Sequence, residues 1–239
     1  MNAGVRVDSC GDGLQRISID RPHAANALDL DTAQAFASAL RGAQDDDAIG
    51  AVIVTGGGEK VFCAGVDLKN PDNAPEQVLV RRRSDSLMVV LRSMLDFDKP
   101  LIVAVNGAAV GGGCMVAMLG DQVIAAESAY FSLPEIDIGM PTFIGLELLA
   151  VIVGGGFAAD LVLTGRRMPA SEAARRGIAD AVPPGALQGA AEDAARALSR
   201  KPRAAYALIK SAVQRTRRDA IDRGLQASEA ARRILRSAR

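Results

Sequence analysis

Two glycine-rich turns hold the residues best able to do chemistry. The first lies in GGGEKVFCAGVDLK, residues 56–69, where an apolar strand ends and the chain turns through Gly65. Glycine there permits backbone geometry that other residues resist. The second lies in NGAAVGGGCMVAMLGD, residues 106–121, where a buried strand runs into Gly111, Gly112 and Gly113 and then into an apolar helix. The N–H groups that open such a helix lack carbonyl partners within it and can hold a partial negative charge. Either turn alone reads more simply as tight packing. Together they are about 45 residues apart, each just after an apolar strand. In an α/β spiral their amides can converge on one carbonyl oxygen, as an oxyanion hole made from backbone.

Other chemistries have less to work with. A Ser-His-Asp or Cys-His mechanism would depend on the single histidine, His23, which sits beside Pro22 in a predicted turn. Cys10, Cys63 and Cys114 are odd in number and lack metal-ligand spacing, which predicts reduced thiols rather than a disulfide framework or a zinc site. Lysine plus arginine equals aspartate plus glutamate at 28 each, so no net field draws nucleic acid or an anionic membrane to the molecule. Any anionic ligand must be held by local charge. The sequence shows no signal-peptide h-region and no charge-free apolar stretch of about 18 residues, which predicts a soluble, cytoplasmic protein.

The elements that must position the turns follow from periodicity. Four apolar runs, LQRISID, AVIVTG, LIVAVNG and DQVIAA, have the length and β-branched content of strands. Between the first two, DLDTAQAFASALRGAQDD begins at an N-cap aspartate and places Leu30, Ala33, Ala37 and Leu40 on one helical face. The alternation predicts α/β architecture. Asn70 to Pro75 (NPDNAP) reads as a loop and the following RRRSDSLMVVLRSML as a helix. From about residue 156 the strand signals stop. FAADLVLTG, ASEAARRGIAD, ALQGAAEDAARALSR and PRAAYALIKSAVQRTRRDAIDRGLQASEAARRIL all read as helices. The expected division is therefore a core at 1–155, containing both turns, and a helical region at 156–239.

FCAGVDLK, AVNGAAVGGGCMVAMLGD and FSLPEIDIGMP resemble, in order and spacing, the successive signature segments of the enoyl-CoA hydratase/isomerase (crotonase) superfamily. The resemblance runs from ISIDRPHAANAL through LTGRRMPASEAARRGIADAV to the C-terminal helices. It implies a crotonase-like spiral of ββα units with a C-terminal helical subdomain that supports a homotrimer or a dimer of trimers. It also implies an acyl-CoA thioester whose carbonyl is held by the N–H groups of Val66 and Gly112. Coenzyme A would lie near Ala24, Ala64, Val66, Asp67 and Leu68, with Arg21 and Lys69 at its phosphates. CoA is then part of the substrate. The glycine runs lack the βαβ context and acidic partner of a dinucleotide fingerprint, so neither nicotinamide nor flavin is expected, and no metal is implied.

Hydratases of this family generally carry two glutamates, and this sequence departs from them at one. Met115 stands at the first position, where a thioether has no proton to exchange near neutral pH. Glu135, after Pro134, matches the second, and in an apolar pocket its pKa would rise toward the range useful for proton transfer. One carboxylate beside an oxyanion hole suffices to move a proton between carbons, so isomerisation of an enoyl-CoA double bond is the leading expectation. Hydration with Glu135 alone is the alternative, and a non-catalytic acyl-CoA-binding protein is the alternative of another class. A family dehalogenase needs an aspartate where this chain has Phe143, and a histidine where His23 does not lie. Asp137 and Glu147 are weaker candidates for a second carboxylate. The RRRSDSLMVVLRSML helix borders the expected acyl pocket, so Arg81 to Arg83 or Asp85 could touch a polar acyl group, although a solvated basic face is the leading expectation for them.

Overall fold

The computed structural model describes residues 4–69, 73–183 and 185–237, with side chains described as far as residue 231. Residues 70–72 of the expected NPDNAP loop lie outside the described residues. The chain opens with β1 (Val5–Ser9) and β2 (Leu14–Ile19), then forms α1 (Leu30–Asp45), β3 (Ala51–Gly56), β4 (Val61–Cys63) and α2 (Glu76–Asp96). There follow β5 (Leu101–Val105), β6 (Ala108–Val110), α3 (Gly112–Ala117), β7 (Gln122–Ala126) and β8 (Tyr130–Ser132). The remainder is α4 (Phe143–Val153), α5 (Gly155–Thr164), β9 (Met168–Pro169), α6 (Ala170–Arg175), β10 (Asp180–Val182), α7 (Leu187–Ser199) and α8 (Arg203–Ser237).

The three circuits that begin at β3, β5 and β7 each lay one strand in a six-stranded sheet and the next in a four-stranded sheet, and return through a helix. The six-stranded order is β1-β2-β3-β5-β7-β10 and the four-stranded order is β4-β6-β8-β9. Pairs from β2 through β10 are parallel, with β1 antiparallel on the edge. The result is the spiral of ββα units that the sequence resemblance implied.

The four runs are the interior strands β2, β3, β5 and β7, and β3 and β5 read as nearly continuous apolar runs because both of their faces are covered. Along β3 and β5, Val52, Val54, Leu101, Val103 and Val105 face the main core. The alternate residues Ala51, Ile53, Ile102 and Ala104 pack against Ala191 and Ala195 of α7. The main core also draws on Ala158, Leu161, Met168 and Ala173, so residues on both sides of position 155 share it.

Two local readings change. Two strands, β9 and β10, lie beyond residue 156, where none was expected. They are two- and three-residue edges, MP and DAV, too short to show a period. The buried face of α1 is Ala33, Phe36, Leu40 and Ala43, whereas Leu30 is exposed and Ala37 half-buried. Phe36 is the larger side chain and sets which stripe turns inward. The expected cap is present, with the Asp29 side chain accepting from Thr32 N at 2.8 Å.

Buried polar groups join the last helix to this frame. Asp121 Oδ2 accepts from Lys210 Nζ at 2.7 Å, Tyr206 Oη at 2.8 Å and Leu101 N at 2.8 Å. Lys99 Nζ donates to the carbonyls of Ala43 and Asp46 at 2.7 Å each, satisfying the C-terminal end of α1. No helix among the described residues is long and apolar enough to cross a membrane.

Candidate active site

The parallel pairing of β4 with β6 sets the two glycine turns side by side. After β4, Gly65 turns with φ +89°, Leu28 N donates to Gly65 O at 2.8 Å, and Asp67 N donates to Leu28 O at 3.0 Å. The Val66 N–H lies between these bonds and donates to no backbone carbonyl among the described residues. After β6, Gly111 N donates to Ser132 O at 2.9 Å and the residue takes φ +54°, so the next residue, Gly112, begins α3 with its N–H unpaired. A β-carbon on Gly65 would lie 2.9 Å from Gly112 N, and one on Gly112 would lie 3.6 Å from Val66 N. Glycine at both positions keeps open the space between two free amide donors, the arrangement that stabilises a developing oxyanion.

Glu135 reaches this space from the third strand of the same sheet. β8 runs parallel to β6 and leads into a 3₁₀ turn, Pro134–Ile138, so the Glu135 carboxyl comes up against the second glycine turn. Its Oε1 would lie 3.1 Å from a β-carbon on Gly111. Its Oε2 is buried and has no hydrogen-bond partner among the described residues. Burial pushes its pKa above the usual carboxylate range. The Glu135 backbone N–H and the nearby Thr142 hydroxyl act in the opposite direction, although Thr142 Oγ1 also has no hydrogen-bond partner. The neighbouring Cys114 thiol is pushed up first by burial and then by the charge of Glu135.

The surroundings of Glu135 are apolar where a second carboxylate was looked for. Met115 is buried in α3, and a β-carbon on Gly145 of α4 would lie 3.0 Å from Met115 Cε, 3.0 Å from Leu133 Cδ2 and 2.8 Å from Thr142 Oγ1. From α2, Leu87 Cδ1 would lie 3.0 Å from a β-carbon on Gly112. Asp137 is exposed and faces Gly165, while Glu147 pairs with Arg223 at 2.9 Å. Neither approaches Glu135 in these contacts. Phe143 begins α4, and His23 is exposed in a 3₁₀ turn, Pro22–Ala24.

The residues expected around the coenzyme form one rim. Ala64, Val66 and Asp67 are half-buried, Leu68 and Lys69 are exposed, and Ala24 is half-buried on the adjoining turn, linked by the Ala64 N to Ala25 O hydrogen bond of 3.1 Å. Arg21 faces inward. It donates to Ala27 O at 2.6 Å and lies 2.9 Å from Asp29 and 3.2 Å from Asp67. A cleft of about 500 Å³ beside this rim is lined by Arg21, Leu28, Asp67 and Lys69 and, from α2, by Leu79, Arg83 and Ser86.

Sequence reasoning missed several residues that shape the site. Buried Asn26, with φ +55°, accepts from Arg21 N and donates to Gly57 O at 2.9 Å and Val61 O at 2.8 Å, fixing the path into the first turn. An asparagine tolerates that backbone region better than most residues, which was the available signal. Leu87, Thr142 and Gly145 carried none, because only the tertiary fold brings them together.

A family model described as enoyl-CoA hydratase/isomerase matches residues 10–236. A carnitinyl-CoA dehydratase from Salmonella arizonae is 36% identical over 228 residues, covering 94% of this chain and 85% of the relative. A short-chain-enoyl-CoA hydratase from Clostridium acetobutylicum is 36% identical over 213 residues, covering 87% and 80%. The crystal structure of an enoyl-CoA hydratase from Bacillus anthracis superposes with a TM-score of 0.80 at 29% identity, covering 93% of this chain and 90% of that one.

Proposed function

Because the chain belongs to the enoyl-CoA hydratase/isomerase family, we propose that it adds water to, or removes water from, an acyl-CoA thioester with Glu135 as its single acid–base group. The observation that carries this reading is the Glu135 carboxyl, its Oε2 buried and without a partner among the described residues, beside two unpaired amides. The thioester carbonyl accepts from Val66 N–H and Gly112 N–H. As Glu135 removes the C2 proton, negative charge moves onto that oxygen, where the two donors stabilise it. Returning the same proton to the C3 hydroxyl as the C–O bond breaks releases water and leaves the 2-enoyl thioester. Hydration is the reverse. The relatives named dehydratase and hydratase support this net reaction ahead of the isomerisation that the sequence alone favoured.

Isomerisation is the second reading, and Met115 is the observation in its favour. A thioether wall offers no second carboxylate to orient water, whereas moving a proton from C2 of a 3-enoyl thioester to C4 needs only Glu135. Purified protein given crotonyl-CoA and, separately, trans-3-hexenoyl-CoA distinguishes the two by ultraviolet absorbance and mass. Gain of water by crotonyl-CoA supports the hydro-lyase. Conjugation of hexenoyl-CoA without a mass change supports the isomerase, and inertness toward both with tight binding supports a non-catalytic acyl-CoA binder.

The coenzyme rim is proposed at Ala24, Ala64, Asp67, Leu68 and Lys69. Lys69, exposed at the end of that rim, would meet phosphate, and Arg21, neutralised by Asp29 and Asp67, would hold the rim in shape. Self-association is also proposed. Leu208, Ile209 and Val213 of α8 are 75%, 69% and 47% exposed on one helical stretch, an apolar strip that a neighbouring subunit would cover. Light scattering is expected to give the mass of a trimer or of two trimers, and a monomer at micromolar concentration would refute the assembly.

A further inference from the structure

On the reading that the substrate is an acyl-CoA thioester, we propose that Arg83 binds an anionic group of that substrate in the cleft between α2 and the coenzyme rim. Arg83 sits one helical turn before Leu87, the residue that touches the Gly112 position. Its side chain is 17% exposed. Nη2 donates to Leu68 O at 2.9 Å, two residues beyond the Val66 donor. Nε is buried and has no hydrogen-bond partner among the described residues, and Arg83 lines the cleft of about 500 Å³.

A buried guanidinium N–H without a protein partner is costly, and structures seldom keep one without a use. Among the described residues the charge of Arg83 is also poorly matched. Glu76 approaches Nη1 only to 3.8 Å and is 75% exposed, so solvent screens most of that pair. Arg21, across the same cleft, has two carboxylates at 2.9 and 3.2 Å. Arg83 is thus a planar donor with one unpartnered N–H, on a residue that lines an open cleft, the chemistry that recognises a carboxylate or a phosphate. Two parts of an acyl-CoA can supply that anion: a carboxylate at the far end of the acyl group, or a phosphate of the coenzyme.

Equilibrium binding to wild type, Arg83→Gln and Arg83→Lys separates them. The ligands are glutaconyl-CoA, crotonyl-CoA and crotonyl-pantetheine, which lacks phosphates. An acyl carboxylate at Arg83 predicts that Arg83→Gln weakens glutaconyl-CoA by about 10- to 100-fold and leaves the two crotonyl thioesters within about twofold. A coenzyme phosphate predicts that both CoA esters weaken alike while crotonyl-pantetheine is unchanged. In either case Arg83→Lys recovers part of the loss, because it keeps the charge without the fork. An equal loss for all three ligands would mean that Arg83 only holds the Leu68 carbonyl, and no loss for any would mean that the cleft takes no anion there. Both outcomes overturn the proposal. Failure of wild type to bind any of the three removes the acyl-CoA reading itself, and this inference with it.

Discussion

Glu135→Gln is expected to lower kcat by about 10²- to 10⁴-fold, the usual contribution of a positioned general acid–base group, while the fold stays intact. Glutamine keeps the shape of the side chain against Gly111 and cannot take the C2 proton. The same burial that makes Glu135 useful sets the pH behaviour. Its folded-state pKa lies above the ordinary 4.5 because the charged form is poorly solvated. In the direction that begins with proton removal, only the carboxylate is active, so wild-type kcat falls as pH drops through that raised value. The acidic limb should therefore centre above 4.5, and the residual rate of the glutamine variant should lack it.

Stability should move the opposite way. In the window from the ordinary to the raised pKa the folded state binds more protons at this site than the unfolded chain does. Stability at this site is therefore highest at low pH and falls as pH rises through the window. Glutamine, which does not ionise, removes that slope, so above the window Glu135→Gln should unfold at the same or higher denaturant concentration than wild type. A variant that keeps most of its turnover would exclude Glu135 as the acid–base group. A variant that loses turnover because it unfolds earlier in neutral buffer would leave Glu135 a structural role only.

The parts of this site that were legible in the sequence are those that depend on local backbone. Gly65 at φ +89° and Gly111 at φ +54° occupy conformations that few other residues adopt, so the composition of the turns showed where the chain bends. The interior strands β3 and β5 were visible because burial on both faces makes them largely apolar, and β2 and β7 by their β-branched content. What was not legible is what converges from different strands. That Glu135 reaches Gly111 follows from β8 pairing with β6, and that Met115 meets Gly145 follows from how α4 lies over α3. Neither leaves a period or a spacing in the chain. Arg21 shows the same limit. A basic residue near the rim suggested a phosphate contact, but three-dimensional neighbours decide whether its charge is available, and Asp29 and Asp67 occupy it.

Gly112→Ala tests the oxyanion hole with less risk to the fold than a change at Gly65. At Gly65 a methyl group would require a side chain at φ +89° and lie 2.9 Å from backbone nitrogen, so lost activity could not be separated from a distorted turn. Gly112 has no such backbone demand, since it opens α3 within ordinary helical space and is absent from the residues with positive φ. Its nearest obstacle is Leu87 Cδ1 at 3.0 Å, the tip of a side chain that can rotate. The added methyl would still stand 3.6 Å from Val66 N and 3.4 Å from Gly65 Cα, on the side of Gly112 that faces the first turn. A carbonyl oxygen that must lie about 2.8–3.1 Å from both amides cannot share that space. The expected result is a fall in kcat of about 10²- to 10³-fold, comparable to loss of one oxyanion donor, with a melting temperature within a few degrees of wild type. Because the donors act on charge that develops during reaction, kcat should fall more than substrate affinity does. Wild-type turnover in a well-folded Gly112→Ala protein would mean that the carbonyl is held elsewhere, and the convergence of the two glycine turns would then be packing alone.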